Sequence, residues 1–152
     1  MRFHIPFLLA LPLACACARS GPNLPDIALP SLAASETRVN ACPTAKCLTV
    51  FVAPWCGYCR AATPAILGLR DFLKGHGVTT RIIVGLDRPE SVRAYARDFG
   101  PDTLVDTRQA WVLGGVPHFF VSDASGRIVK EVAGVPMGVR DVEEFAGYFG
   151  LP

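Results

Sequence analysis

An α/β architecture with a mostly parallel central sheet is the fold class this sequence predicts. From Lys46 onward, short β-branched apolar runs alternate with longer amphipathic stretches, the pattern of strands crossing over through helices. Gly-, Pro- and Asp-rich punctuation separates the runs. The last two runs, "PHFFVSD" and "RIVKEVAG", are joined only by "ASG", a hairpin signal that adds an antiparallel edge. The predicted order is β-α-β-α-β-α-β-β-α.

Each element has its own reason. "CLTVFVA" (47–53) is apolar and β-branched and reads as a buried strand. A helix follows from Cys56 or Gly57 to Lys74, ended by Gly75 in "GHG", with a kink expected at Pro64. "TTRIIVGL" (79–86) is the next strand. "DRPESVRAYARDFG" (87–100) reads as a helix with Pro89 in its first turn, an apolar face of Val92, Tyr95, Ala96 and Phe99, and Gly100 as its stop. "DTLVD" (102–106) is a short strand and "TRQAWVLGG" (107–115) a short helix. After the hairpin, "VRDVEEFAGYFG" (139–150) is a closing amphipathic helix. No internal repeat or low-complexity tract interrupts this.

The first residues differ. Arg2, the apolar run Ile5–Ala14 and the small residues of "CACARS" have the layout of a secretory signal peptide over 1–18. The apolar run is shorter than the roughly 20 residues a membrane span needs, and Pro6 and Pro12 oppose a buried helix. Two outcomes stand side by side: cleavage after Ala18, or lipid attachment at Cys15 or Cys17. Residues 19–45, with prolines at 22, 25, 30 and 43, read as a linker or low-order lead-in with one short strand. Residues 46–152 form the domain. A net charge of +2, with Lys and Arg spread along the chain, gives no nucleic-acid footprint.

The chemistry lies in "VAPWCGYCRAATP" (52–64). A C-x₂-C at a strand-to-helix junction puts Cys56 at a helix N-terminus, where free N–H groups and the helix dipole stabilise a thiolate. Cys59, one turn on, is placed to attack the mixed disulfide that Cys56 forms, so the pair suits two-electron exchange. A zinc site needs two further ligands. Cys42 and Cys47 of "CPTAKC" fall at the far end of the intervening strand, more than about 15 Å away. A purely structural Cys56–Cys59 staple closes too small a loop to stabilise much. No metal and no cofactor is expected.

"WCGYCR", Pro64 and the later "GGVPHFFV" together resemble the thioredoxin fold. "LVDTRQAWVLGGVPHFFVSDASGRIVKEVAG" resembles the TlpA/ResA/DsbE-like subgroup, with an Asp at 106, G-V-P-x-x-F and a following D-x-x-G-x-I. The likeness covers about residues 46–150 and includes a strand-helix insertion at 79–100. It implies a central mixed sheet flanked by helices, and a cis Val116–Pro117 loop against the cysteine pair. Pro117 then joins Cys56 and Cys59 in the catalytic centre, and Trp55, Gly57, Tyr58 and Val116 bind substrate.

The sequence departs from that family in several places. Val50 stands where thioredoxins carry a buried Asp. Asp87 and Glu90 are the nearest counterparts of a subgroup Glu that relays protons, although helix capping explains both more simply. Tyr58 replaces a proline between the cysteines and bears on the potential. His118 is read as a packed or surface residue rather than a charge near Cys56. Cys42 and Cys47 are read as a structural disulfide pinning the lead-in to the first strand, ahead of an auxiliary redox pair. Trp55 supports the active-site surface, and ordinary packing accounts for Trp111.

The expected function is that of an exported, periplasmic thiol–disulfide oxidoreductase. It would reduce protein disulfides in cytochrome c maturation or thiol repair and be recharged by a membrane thiol donor of the DsbD type. An oxidase or isomerase of the same fold is the alternative. A copper-chaperone-like metal module and a non-catalytic interaction domain come behind it.

Overall fold

The computed structural model describes residues 21–152. The expected leader over 1–18, with Cys15 and Cys17, lies outside the described residues. Strands are β1 (Ala28–Pro30), β2 (Glu36–Arg38), β3 (Lys46–Val52), β4 (Thr79–Val84), β5 (Leu104–Val105), β6 (His118–Asp123) and β7 (Ile128–Ala133). Helices are α1 (Gly57–Gly75), α2 (Pro89–Ala96, continued by a 3-10 turn at Arg97–Phe99) and α3 (Val142–Tyr148).

A five-stranded sheet runs β5-β4-β3-β6-β7. β3 pairs parallel with β4 and antiparallel with β6, so the sheet is mixed. The C-terminal ends of β3, β4, β5 and β7 and the start of β6 therefore meet at one pole. The turns at that pole carry the cysteine pair, Val116–Pro117 and the segment after β7.

Alternation along β3 divides the core. Leu48, Val50 and Val52 face one side and pack with residues of all three helices, among them Ile66, Leu69, Val92, Tyr95 and Phe145, and with Phe149 just after α3. Phe51 faces the other side with Ile83, Leu104 and Phe120. Leu24, Leu29 and Val39 from the lead-in cover that second face and are fully buried. The lead-in is thus no loose linker. β1 and β2 form a two-stranded antiparallel sheet of their own. Pro22 accepts from Ile128 N–H on β7, and Leu32 N–H donates to Thr103. The prolines forbid a helix but leave extended chain free to lay apolar side chains on a sheet with no helix there.

Helix α1 includes the first glycine, Gly75, one residue beyond the expected end, with His76 as its C-cap. Gly77, at φ +71°, is the left-handed residue. Val78 N–H reaches Leu73 and Gly77 N–H reaches Lys74, the double bond of a Schellman end. The helix also continues without a break through Pro64, an exposed position. The expected helix at 107–115 does not form. Asp106, buried at the end of β5, accepts from Ala110 N–H and Trp111 N–H, each at 2.8 Å. Gln109 takes a positive φ of 53° to let it. A carboxylate holding two amides competes with the helix that would have used them.

The β6–β7 turn is organised by Asp123, which accepts from Ser125 N–H, the Ser125 hydroxyl, Arg127 N–H and Arg127 Nε. The Ser125 hydroxyl, then Arg127, hold its carboxyl below the ordinary 3.8, at about 2. A depressed carboxylate stabilises the fold above its unfolded value and loses that contribution as pH falls through the folded one. Acid unfolding is therefore expected to steepen between pH 4 and pH 2, and an Asp123→Asn variant followed by circular dichroism should lack that segment of the curve.

Candidate active site

Strand β3 delivers Ala53, Pro54 and Trp55 to the pole, and the chain turns there into α1. Cys56 is the N-cap of α1, at φ −81° and ψ 108°. Its Sγ accepts a hydrogen bond from Cys59 N–H at 3.0 Å, the contact a capping Ser or Asp oxygen usually makes. The sulfur therefore faces the free amides at the positive end of a 19-residue helix. Cys59, one turn on, is disulfide-bonded to Cys56 with Cα atoms 5.2 Å apart. Cys59 is fully buried, while Cys56 keeps 4% exposure. Access from outside is thus to Cys56.

The Val116–Pro117 peptide is cis. The Val116 carbonyl oxygen lies 3.4 Å from Cys56 Sγ. Pro117 is buried, and its carbonyl accepts from Gly134 N–H at 2.7 Å, joining the turn after β7 to this loop. Trp55 is 63% exposed and Tyr58 is 80% exposed. The Trp55 indole is not loose, since Nε1 donates to the Leu86 carbonyl at 2.8 Å. Nothing in the sequence signals that contact, because the acceptor is a backbone oxygen presented by a residue at φ +59°. Gly57 is exposed and meets nothing within 4 Å of where a Cβ would stand.

The remaining candidates sit further out. Val50 is fully buried in the same apolar cluster as both cysteines, so no carboxylate occupies that position beneath the pair. Asp87 lines a cleft of about 430 Å³ beside Trp55, with Arg60, Ser91, Tyr95 and Asp98. It does not cap α2 in the expected way. Arg88 is the N-cap, and Asp87 Oδ1 accepts from Arg88 N–H at 2.7 Å, because Pro89 at the first helical position has no N–H to offer. Glu90 is exposed in the first turn of α2, 3.9 Å from Arg88 Nε. Among the described residues no hydrogen bond joins either carboxylate to a cysteine. Cys42 and Cys47 form a disulfide with Cα atoms 5.7 Å apart, at the opposite end of β3. Trp111 packs edge-on against Phe51, ring centres 5.4 Å apart, and against Phe120 at 5.0 Å.

Asp106 is the residue whose structural weight the sequence understated. It sets the start of the segment that ends in Val116–Pro117. Asp106→Ala would leave the part-buried Ala110 and Trp111 amide bonds without their acceptor, at a cost of about 1 kcal/mol in urea unfolding. Exchange activity should fall with it.

No family model matches the chain. It is 30% identical over 133 residues to the thiol:disulfide interchange protein HelX of Rhodobacter capsulatus, covering 81% of this chain and 73% of that protein. The chain belongs to the thioredoxin-fold thiol–disulfide oxidoreductases. Solved structures agree on the fold. A secreted Mycobacterium tuberculosis disulfide oxidoreductase described as homologous to E. coli DsbE superposes with a TM-score of 0.62 at 15% identity, over 82% of this chain and 95% of that one. A thioredoxin-family thiol:disulfide interchange protein of Chlorobium tepidum gives 0.59 at 21%, over 86% and 94%. The Streptococcus pneumoniae exposed lipoprotein thioredoxin gives 0.62 at 16%, over 83% and 98%.

As an oxidoreductase of this family, the protein exchanges electrons with protein disulfides or dithiols. That activity needs what the pole provides: one sulfur at a helix start with a way out, and a second sulfur behind it. Among the described residues no helix is long and apolar enough to cross a membrane.

Proposed function

We propose that this oxidoreductase works outside the cytoplasm as a reductant of protein disulfides, with Cys56 as attacking thiol and Cys59 as resolving thiol. The observation that carries the assignment is Cys56 Sγ in the N-cap position, bonded to Cys59 N–H, with Cys59 fully buried. The Cys56 thiolate attacks one sulfur of a substrate disulfide, and the other sulfur leaves as a thiolate. The Cys59 thiolate then attacks Cys56 Sγ, closing Cys56–Cys59 and releasing the second substrate sulfur. Two electrons pass to the substrate, and the leaving thiolates take up the two protons given by the enzyme's thiols.

Val116 and Pro117 would hold the substrate backbone beside Cys56, with Trp55, Gly57 and Tyr58 as the facing surface. Among the described residues, five of the seven large exposed hydrophobic side chains lie at this pole, Trp55, Val112, Val135 and Met137 on turns and Tyr58 at the start of α1. That concentration suits apolar polypeptide segments as substrates. Asp87, in the cleft beside Trp55, is the carboxylate to test as a proton relay, with Glu90 behind it. A leader over 1–18, with export to the periplasm or a lipid anchor at Cys15 or Cys17, fits the redox use of cysteine. A membrane thiol donor of the DsbD type would supply the electrons, and cytochrome c maturation or thiol repair would use them.

Equilibrium titration of the Cys56–Cys59 couple against glutathione and a stronger dithiol tests the direction. A value near thioredoxin's, about −270 mV, supports the reductase. A value near DsbA's, about −120 mV, supports an oxidase instead.

A further inference from the structure

The segment from Val112 to Val116 has no strand or helix to hold it, and it contains Gly114 and Gly115, which leave its backbone free. Among the described residues its hydrogen-bonding contacts to the rest of the fold are two. The Val116 carbonyl faces Cys56 Sγ, and the Gly115 carbonyl faces His118 Nδ1 at 3.3 Å. The first of these is the reacting sulfur itself. The second is therefore the segment's polar tie that does not involve the cysteine pair, beside the packing of Leu113 and Val116 on the cluster around Phe51.

His118 is built to be that anchor. It stands at the start of β6 on the second face of the sheet, away from α1, so its ring does not approach the cysteines from their own side. The residue is 9% exposed. Its ring stacks on Phe120, centres 4.4 Å apart and planes 5° from parallel. Nε2 lies 2.9 Å from Glu131 Oε1 on β7. Stacking and the Glu131 contact fix the ring, and the fixed ring presents Nδ1 to the Gly115 carbonyl; both partners accept, so the ring that makes both bonds carries a proton on each nitrogen.

We propose that His118 is a positioning residue for substrate binding: it clamps the Gly115 carbonyl and so holds the Val116–Pro117 edge in place beside Cys56. Glu131 orients the clamp from β7. This rests on the proposed role of Val116 and Pro117 as the substrate edge. The clamp acts on a polypeptide laid along that edge and not on a small disulfide that needs only Cys56.

The test compares the purified protein and the variants His118→Ala, His118→Asn and Glu131→Ala, using an apolar peptide disulfide and the small aromatic disulfide DTNB. Losing the clamp should raise KM for the peptide about fivefold in His118→Ala, with kcat and the DTNB rate changed by less than about twofold. His118→Asn keeps an N–H donor near Nδ1 and should recover most of the loss. Glu131→Ala, at a half-exposed surface position, should raise the peptide KM by about twofold or more even if His118→Ala fails to fold. An unchanged peptide KM in Glu131→Ala and His118→Ala, an equal loss with DTNB, or no recovery in His118→Asn overturns the clamp. Exchange by the unmodified protein with neither disulfide would instead overturn the exchange reading on which it rests.

Discussion

Replacing Cys56 with Ser is expected to lower the rate of disulfide reduction by about a thousandfold or more, because the thiol of the less buried residue of the pair is removed. The fold should survive. A serine oxygen at the N-cap accepts the Cys59 N–H as well as sulfur does. Cys59→Ser should behave differently. The first attack still occurs, so one substrate thiol is released per enzyme, and turnover then stops because nothing resolves the mixed disulfide. A stopped-flow trace with single-turnover release in Cys59→Ser and none in Cys56→Ser distinguishes the roles. Release from Cys56→Ser at the rate of the unmodified protein would reverse them.

The largest loss of stability is expected at Phe51→Ala, about 3–5 kcal/mol in urea unfolding. Phe51 is fully buried on the sheet face opposite the helices. It meets Trp111 edge-on, and its ring lies where a Cβ on Gly85 would come within 2.7 Å of Cζ. That geometry makes a second measurement informative. Gly85→Ala alone should destabilise through the clash with the ring. In a Phe51→Ala background the clash is gone, so the double variant should be more stable than the sum of the single effects predicts. Additive losses would show that Gly85 and Phe51 are not coupled. Removing Phe51 also frees Trp111, so exchange with peptide substrates should weaken beyond the loss of folded protein.

The parts of the fold legible in the sequence were those with a period. β3, β4, β6 and β7 are runs of β-branched and aromatic residues, and α2 shows its apolar face through Val92, Tyr95 and Phe99. The cysteine pair was legible because spacing and a strand-to-helix junction together dictate its chemistry. Three things were not. The lead-in reads as irregular because its prolines exclude a helix, yet Leu24, Leu29 and Val39 find a sheet face that only the assembled tertiary structure creates. The segment 107–115 has helix-forming residues, but the Asp106 carboxylate takes the amides first, and a side chain five residues upstream is invisible to local propensity. His118 was read as a packed or surface residue, and it is packed. That packing is what aims its ring at Gly115, a consequence of register with Glu131 that no single-sequence pattern contains.

The central claim is that Cys56 Sγ is the atom that attacks substrate. Incubating the reduced Cys59→Ser protein with a peptide disulfide and mapping the trapped adduct by peptide mass spectrometry tests it most directly. One peptide per protein is expected, attached at Cys56, with Cys42–Cys47 intact at the far end of β3. An adduct on Cys42 or Cys47, or no adduct while exchange continues, would contradict it.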